Sequence, residues 1–335
     1  MPSATYKPLE VARMVGVSKE LLLEHERDGR LPLPKRDDKG NRYYTAEDVE
    51  LIRERVGIRP ALANPPVVVA VFNMKGGVGK STVSSNFAWK AAEMGFRVLG
   101  LDADPQGHMT TSLGKEPADF THTLQQLIIP DQHKETLPVS AIRAGIAPNL
   151  DLVPANLSMC ELNLFLVQQP EREYRLRREL EKVKAAAIYD LVVIDSPPSY
   201  DLTSQNILLA CDLLIAPVKL DGNSFYGLEY LFNKIRELKR IFRYQIPAVL
   251  IVANHYNQSY SVSRDILDGL EQNYGQYLAR TVVRQDVNFD KANALREPIF
   301  VNSPSCKGSA DMANLTTEVI DLVIARYAKH REEQE

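Results

Sequence analysis

The stretch "NMKGGVGKST", Asn73 to Thr82, gathers three glycines, two lysines and two hydroxyls. Gly76, Gly77 and Gly79 let the backbone curl so that successive N–H groups face one anion. The β-branched run "VVVAVF" precedes it and a helix-forming segment follows. Strand, turn and helix in that order aim the positive end of a helix at bound phosphate. The nucleotide-binding stretch is therefore Lys75, Gly76, Gly77, Val78, Gly79, Lys80, Ser81 and Thr82. Lys80 would neutralise β- and γ-phosphates, Ser81 would ligate Mg²⁺, and Thr82 would contact the α-phosphate. The usual pattern requires glycine where Met74 stands, and Lys75 is an addition to it.

Ligands of open parallel sheets collect at the carboxyl ends of strands. Two apolar runs end in acid there: "RVLGLD" closes on Asp102, with Asp104 two residues on, and "DLVVID" closes on Asp195. Asp195 is expected to hold Mg²⁺ through water, and Asp102 to be either a further partner of that ion or a strand-end cap. Neither histidine nor cysteine in these segments points to a covalent intermediate. Direct attack of water on a γ-phosphate is the simplest chemistry they support.

The loop's form, xKGGxGK[ST], resembles the deviant phosphate loop of the ParA/MinD ATPases. "LDADPQG" at 101–107 is similar to that family's first switch and "VVIDSPPS" at 192–199 to its second, in the same order along the chain. The resemblance covers residues 67–325 and is strongest for ParA-type partition proteins. It implies ATP and Mg²⁺ as cofactors and an ATP-dependent homodimer in which Lys75 reaches the partner's phosphates. It makes Asp104 the residue that orients or deprotonates water in a slow ATPase, stimulated by a ParB-like adaptor. It also places Asn254, at the end of "AVLIVAN", on adenine, with an ordinary turn asparagine as the other reading, and closes "REPIFV" over the base with Pro298 as a packing wall. ParA-like dimers bind DNA without sequence preference. Arg284 matches a family position for that contact, while Arg264, Arg280 and the helix cations Lys234, Arg236, Lys239, Arg240 and Arg243 are further candidates, a solvated face being the other reading of that helix run.

The rest of the chain has to position these groups. Its 335 residues, 44% of them hydrophobic, suffice for a large core. Apolar runs at 67–72, 97–102, 190–198, 213–219 and 248–256 alternate with amphipathic segments such as "SSNFAWKAAEMG" and "GLEYLFNKIRELKRIF". That alternation predicts an α/β fold, a doubly wound, mostly parallel sheet of the P-loop NTPase kind, spanning 67–335. A last helix of about 20 residues ends the chain. The proline-rich "GIRPALANPP" at 57–66 reads as a linker.

Residues 1–56 precede it. "KPLEVARMVGVSKELLLEHERDGRL" predicts two short helices broken at Gly16, with Ser18 capping the second, a helix-turn-helix arrangement. "LPLPKRDDKGNRYYTAEDVELIRER" then predicts a ribbon turning at 39–41 and a helix capped by Thr45. The combination resembles the MerR-type winged helix through Arg36, Gly40, Arg42, Tyr44 and Asp48. The resemblance makes Lys19, Arg36, Lys39, Arg42 and Tyr43 the DNA-facing residues, with an operator as their target; acids here match bases in number, so a dimerisation or partner-binding module is the other reading.

The net charge of −3 gives no global attraction to nucleic acid. The three scattered cysteines suit a reducing compartment and leave no bridging pair for an electron-transfer ATPase of similar fold. No apolar leader or span is visible, and "ARYAKHREEQE" is too polar for the membrane-inserting helix of a MinD-like regulator. The expectation is a cytoplasmic, nucleoid-associated DNA-partition ATPase. A nucleotide-gated transcription factor or a positioning ATPase for a protein cargo are the alternatives.

Overall fold

A computed structural model of the chain describes residues 5–56, 60, 62, 66–130, 136–221, 224–243 and 247–332. The expected linker thus lies largely outside the described residues.

The first segment folds around a core of its own, centred on Val11, Val15, Leu22, Tyr44, Val49 and Ile52. Helices α1 (Pro8–Val15) and α2 (Lys19–Arg27) are separated at Gly16, and the Ser18 hydroxyl accepts the Leu21 N–H at 3.0 Å, capping α2 as expected. Strands β2 (Lys35–Arg36) and β3 (Arg42–Thr45) form the ribbon, its turn held by Asp37, whose Oδ1 accepts the N–H groups of Lys39 and Asn41. Helix α3 (Ala46–Val56) starts at a reciprocal cap, in which Asp48 accepts the Thr45 N–H and the Thr45 hydroxyl accepts that of Asp48. A strand the sequence did not announce, β1 (Thr5–Tyr6), pairs with the other edge of β3. It makes a three-stranded sheet in the order β1-β3-β2.

The second sheet has seven strands: β4 (Val67–Val71), β5 (Val98–Asp102), β6 (Ala144–Ala147), β7 (Leu150–Val153), β8 (Leu191–Asp195), β9 (Leu213–Lys219) and β10 (Ala248–Asn254). Their order is β10-β9-β4-β8-β5-β7-β6, all neighbours parallel except the antiparallel edge pair β6 and β7. All five expected apolar runs are strands; β6 and β7, short and without a continuous apolar run, were not anticipated. Side chains alternate between two cores. Val67, Val69 and Val71 pack on one face with helix α4 (Lys80–Glu93) and the C-terminal helix Lys307–Glu332, while Val68, Ala70 and Phe72 pack on the other with the helix Ser224–Phe242. The C-terminal helix has 26 residues, longer than expected. Among the described residues no helix is long and apolar enough to cross a membrane.

The chain leaves β4 through α4 to reach β5 on one side of the sheet, whereas β9 and β10 lie on the other. This reversal opens a crevice beyond the carboxyl end of β4. Asn73, Asp102, Asp195, Lys219 and Asn254 all stand at that edge.

Candidate nucleotide site

The loop between β4 and α4 is tied to the carboxyl-end halves of β9 and β10. Asn73 Nδ2 donates to the Pro217 carbonyl at 2.9 Å, and its Oδ1 accepts the Lys75 N–H at 3.0 Å. Asn254 Nδ2 donates to the Val78 carbonyl at 2.7 Å while its Oδ1 accepts the His255 N–H. Asn254 therefore braces the loop, and the amide edge expected to read adenine is turned to the backbone. Gly79, the N-cap of α4, has φ of 89°, and a Cβ there would lie 2.3 Å from Asn254 Nδ2. Only glycine fits. No side chain caps this helix, which leaves its first N–H groups open to an anion.

The two lysines of the loop are placed differently. Lys80 is buried, its Nζ donating to the Lys75 carbonyl at 3.2 Å; burial lowers its pKa, while the charges of Asp195 and Asp104 act to raise it. Lys75 sits on the rim, one-third exposed, with Nζ at 2.5 and 2.6 Å from the two carboxylate oxygens of Asp221.

Asp195 is fully buried at the end of β8. The Ser84 hydroxyl donates to its Oδ1 at 2.8 Å, and Oδ2 is buried with no hydrogen-bond partner. Burial pushes its pKa up to about 6 against the pull of the Ser81 and Ser84 hydroxyls and Lys80. A buried carboxylate oxygen without a donor, beside a hydroxyl at the head of α4, is a donor set for a hard divalent cation. Asp102 differs. Its Oδ2 accepts the Thr110 N–H and hydroxyl at 2.8 and 2.6 Å, and its Oδ1 accepts the Asp104 N–H at 3.2 Å. Burial, then the neighbouring Asp195 charge, push its pKa up to about 8. These bonds tie Asp102 to the loop after β5 and to the first turn of helix α5 (His108–Ser112), and both of its oxygens accept hydrogen bonds from the chain. Asp104 is buried close enough to Lys80 to act on its charge, and its Oδ1 accepts the Gln106 N–H at 3.0 Å.

Next to the loop a cavity of about 220 Å³ is lined by Thr82, Asn254, Arg284, Gln285, Asp286 and Phe289, among others. Pro298 is not among the lining residues. It is buried, and the following Ile299 N–H donates to Asn86 Oδ1, holding "REPIFV" against α4. Sequence reading missed Asp221, Ser84 and the cavity wall 285–289. Asp221 lies two residues past the end of β9 and was open to the strand-end rule; the wall runs from a loop into the first turn of the short helix Val287–Ala294.

The expected DNA contacts are dispersed. Lys19 and Lys39 are exposed, Arg36 donates to the Gly40 carbonyl at 2.9 Å, and Arg42 is ion-paired with Glu26 of α2. Tyr43 is half-buried opposite Lys35 in the ribbon. Arg284 forks onto Asp311 through Nε at 2.8 Å and Nη2 at 2.5 Å, which spends its charge in place and puts it on the wall of the cavity. Arg236, Lys239, Arg240, Arg243 and Arg264 are exposed, whereas Lys234 pairs with Glu237 and Arg280 with Glu318.

Known proteins resemble this chain in sequence and fold. A family model described as an AAA domain matches residues 67–247, and one described as a MerR HTH family regulatory protein matches residues 6–54. The chain is similar to the cell division protein PomZ of Myxococcus xanthus, 34% identical over 328 residues covering 98% of this chain and 97% of PomZ. It is 31% identical to the chromosome partitioning protein ParA of Caulobacter vibrioides over 267 residues, 80% of this chain and 98% of that one. The fold matches the solved ATP complex of Cyanothece McdA with a TM-score of 0.67 at 17% identity, covering 77% of this chain and 98% of McdA. The chain belongs to the ParA-type ATPases and carries a MerR-like helix-turn-helix module ahead of that fold.

Proposed function

We propose that the protein is an ATP-dependent dimerising ATPase that partitions DNA, its ATP-bound dimer holding DNA without sequence preference and its N-terminal module, residues 1–56, reading an operator. The contrast between the two loop lysines carries this reading. Lys80 is built into its own phosphate site, while Lys75 stands on the rim in an exchangeable pair with Asp221. A rim cation serves a second nucleotide brought face to face, and it couples closure of the dimer to the triphosphate.

In this reading the N–H groups of the loop and Lys80 cradle the phosphates, and Ser81 with Asp195 would hold Mg²⁺. Mg²⁺ when bound supplies neutralisation of charge developing on the β- and γ-oxygens. Asp104 orients or deprotonates the attacking water, and the 220 Å³ cavity receives the base. A ParB-like adaptor stimulates hydrolysis and so releases the DNA. One observation favours a second cargo: PomZ, similar along both parts of the chain, is a cell division protein. A protein cluster positioned over DNA uses the same cycle.

The test is Lys75→Ala followed by light scattering with ATP and with ADP. The variant is expected to bind ATP yet stay monomeric; normal ATP-dependent dimers would overturn the reading.

A further inference from the structure

The N-terminal module is seated on the far end of the phosphate-loop helix. Glu93, the last residue of α4, accepts the Tyr6 phenol at 2.6 Å and the Trp89 indole N–H at 2.9 Å on Oε1, and the Lys90 ammonium at 2.9 Å on Oε2. Its backbone carbonyl accepts Arg53 Nη2 at 2.9 Å, the same nitrogen donating to the Met14 carbonyl at 3.1 Å. Arg53 is 2% exposed and lies over Gly95, where a Cβ would stand 2.5 Å from its Nε. Glu50 bonds Arg53 at 2.9 Å and accepts Asn149 Nδ2 at 2.5 Å from the loop joining β6 and β7.

This seating sets one side of the wing across from the ATPase fold. Arg36, Arg42 and Tyr43 line one side of a cleft whose other side includes Glu297, Phe300 and Val301. The cleft has a volume of about 1000 Å³, and Lys19 and Lys39 lie outside it, exposed. A duplex that engages Arg36, Arg42 and Tyr43 together has to come in on the side that the ATPase wall occupies. Arg42, moreover, is tied to Glu26 of the helix that would enter the groove.

We propose that the docked module is self-masked: its wing binds duplex only after the Tyr6, Arg53 and Glu50 contacts to Glu93 and Asn149 release. The proposal rests on the reading that this module binds DNA. Trp89 is the sole tryptophan of the chain and shares the Glu93 oxygen with Tyr6, so its emission reports release.

The experiment uses the full chain without nucleotide, so that the ATP dimer does not contribute, and a labelled duplex pool of random sequence at fixed salt. Two variants open the latch: the mild pair Tyr6→Phe with Asn149→Ala, and the stronger Arg53→Ala. Each is expected to shift Trp89 emission to the red and to bind duplex about tenfold more tightly, since apparent affinity scales with the competent fraction. Adding Arg36→Ala should abolish the gain. Wing-dependent binding of equal strength in the wild-type and released chains overturns the masking and leaves the DNA reading standing. Shifted emission with no wing-dependent binding in any chain overturns both.

Discussion

Charged groups are treated in opposite ways at the two ends of α4. At its start, beyond the strand ends, they are buried close together: Lys80 under its loop, Asp195 with one bare oxygen, and the hydrogen-bonded Asp102 beside it. In the N-terminal module, 11 Lys and Arg face 11 Asp and Glu, and they pair among themselves: Arg42 with Glu26, Lys35 with Asp48, Arg30 with Asp28. The first arrangement stores desolvation that a charged ligand relieves, because a buried ion without its partner is costly. The second is mostly paired within itself, Glu26 alone among these acids keeping one buried oxygen without a hydrogen-bond partner. One region is poised for a small, highly charged ligand; the other must first give up internal pairs to hold a polyanion.

The largest break in this contrast is Lys80→Ala. It removes the buried cation of the first region, and ATP affinity in a filter or calorimetric assay should fall by about 10²-fold or more. Retained affinity would show that the loop's N–H groups suffice alone. Asp104→Ala comes next: ATP binding and dimerisation persist, while phosphate release drops by about 10²–10⁴-fold, the range of a lost general base or water-orienting group. Wild-type turnover would remove Asp104 from the chemistry. Gly79→Ala is smaller, costing about 1–3 kcal/mol in unfolding free energy through the left-handed φ and the contact with Asn254. Gly145→Ala, whose Cβ would meet nothing nearer than 3.8 Å, is its control; equal losses in the two would dismiss the Asn254 brace.

The sequence displayed the first region well and the second only in outline. Continuous apolar runs become buried parallel strands whatever their neighbours, and a glycine loop between strand and helix has few other structures, so β4, β5, β8, β9, β10 and the phosphate loop were legible. The short strands β1, β6 and β7 exist through their pairing, which two to four residues cannot announce. Side-chain partners were not legible where a distant residue supplies them. Asn254 turns to Val78, 176 positions away, Arg284 is claimed by Asp311, and Lys75 is held by Asp221. The DNA-facing residues of the wing were chosen from residue type and family position, and seating on Glu93 is set by a contact between modules that no local pattern encodes.

The smallest expected effect concerns what the buried acids cost when no nucleotide is present. Folding raises the Asp102 carboxyl to about 8 from its ordinary 3.8, through burial and the Asp195 charge. Between those values the folded chain holds a proton that the unfolded chain has lost. Stability of the nucleotide-free protein therefore falls as pH rises through that window, the reverse of the trend for a carboxylate whose pKa folding depresses. Asp102→Asn removes the titration and keeps an acceptor for the two bonds from Thr110, giving up the longer bond from the Asp104 N–H. In thermal melts the wild-type midpoint should drop from pH 6 to pH 8 while the variant's stays flatter, so that the variant gains about 2 kcal/mol on wild type across that range. Parallel midpoints would mean that Asp102 is ionised in the fold and that the strand ends are as well compensated as the N-terminal module.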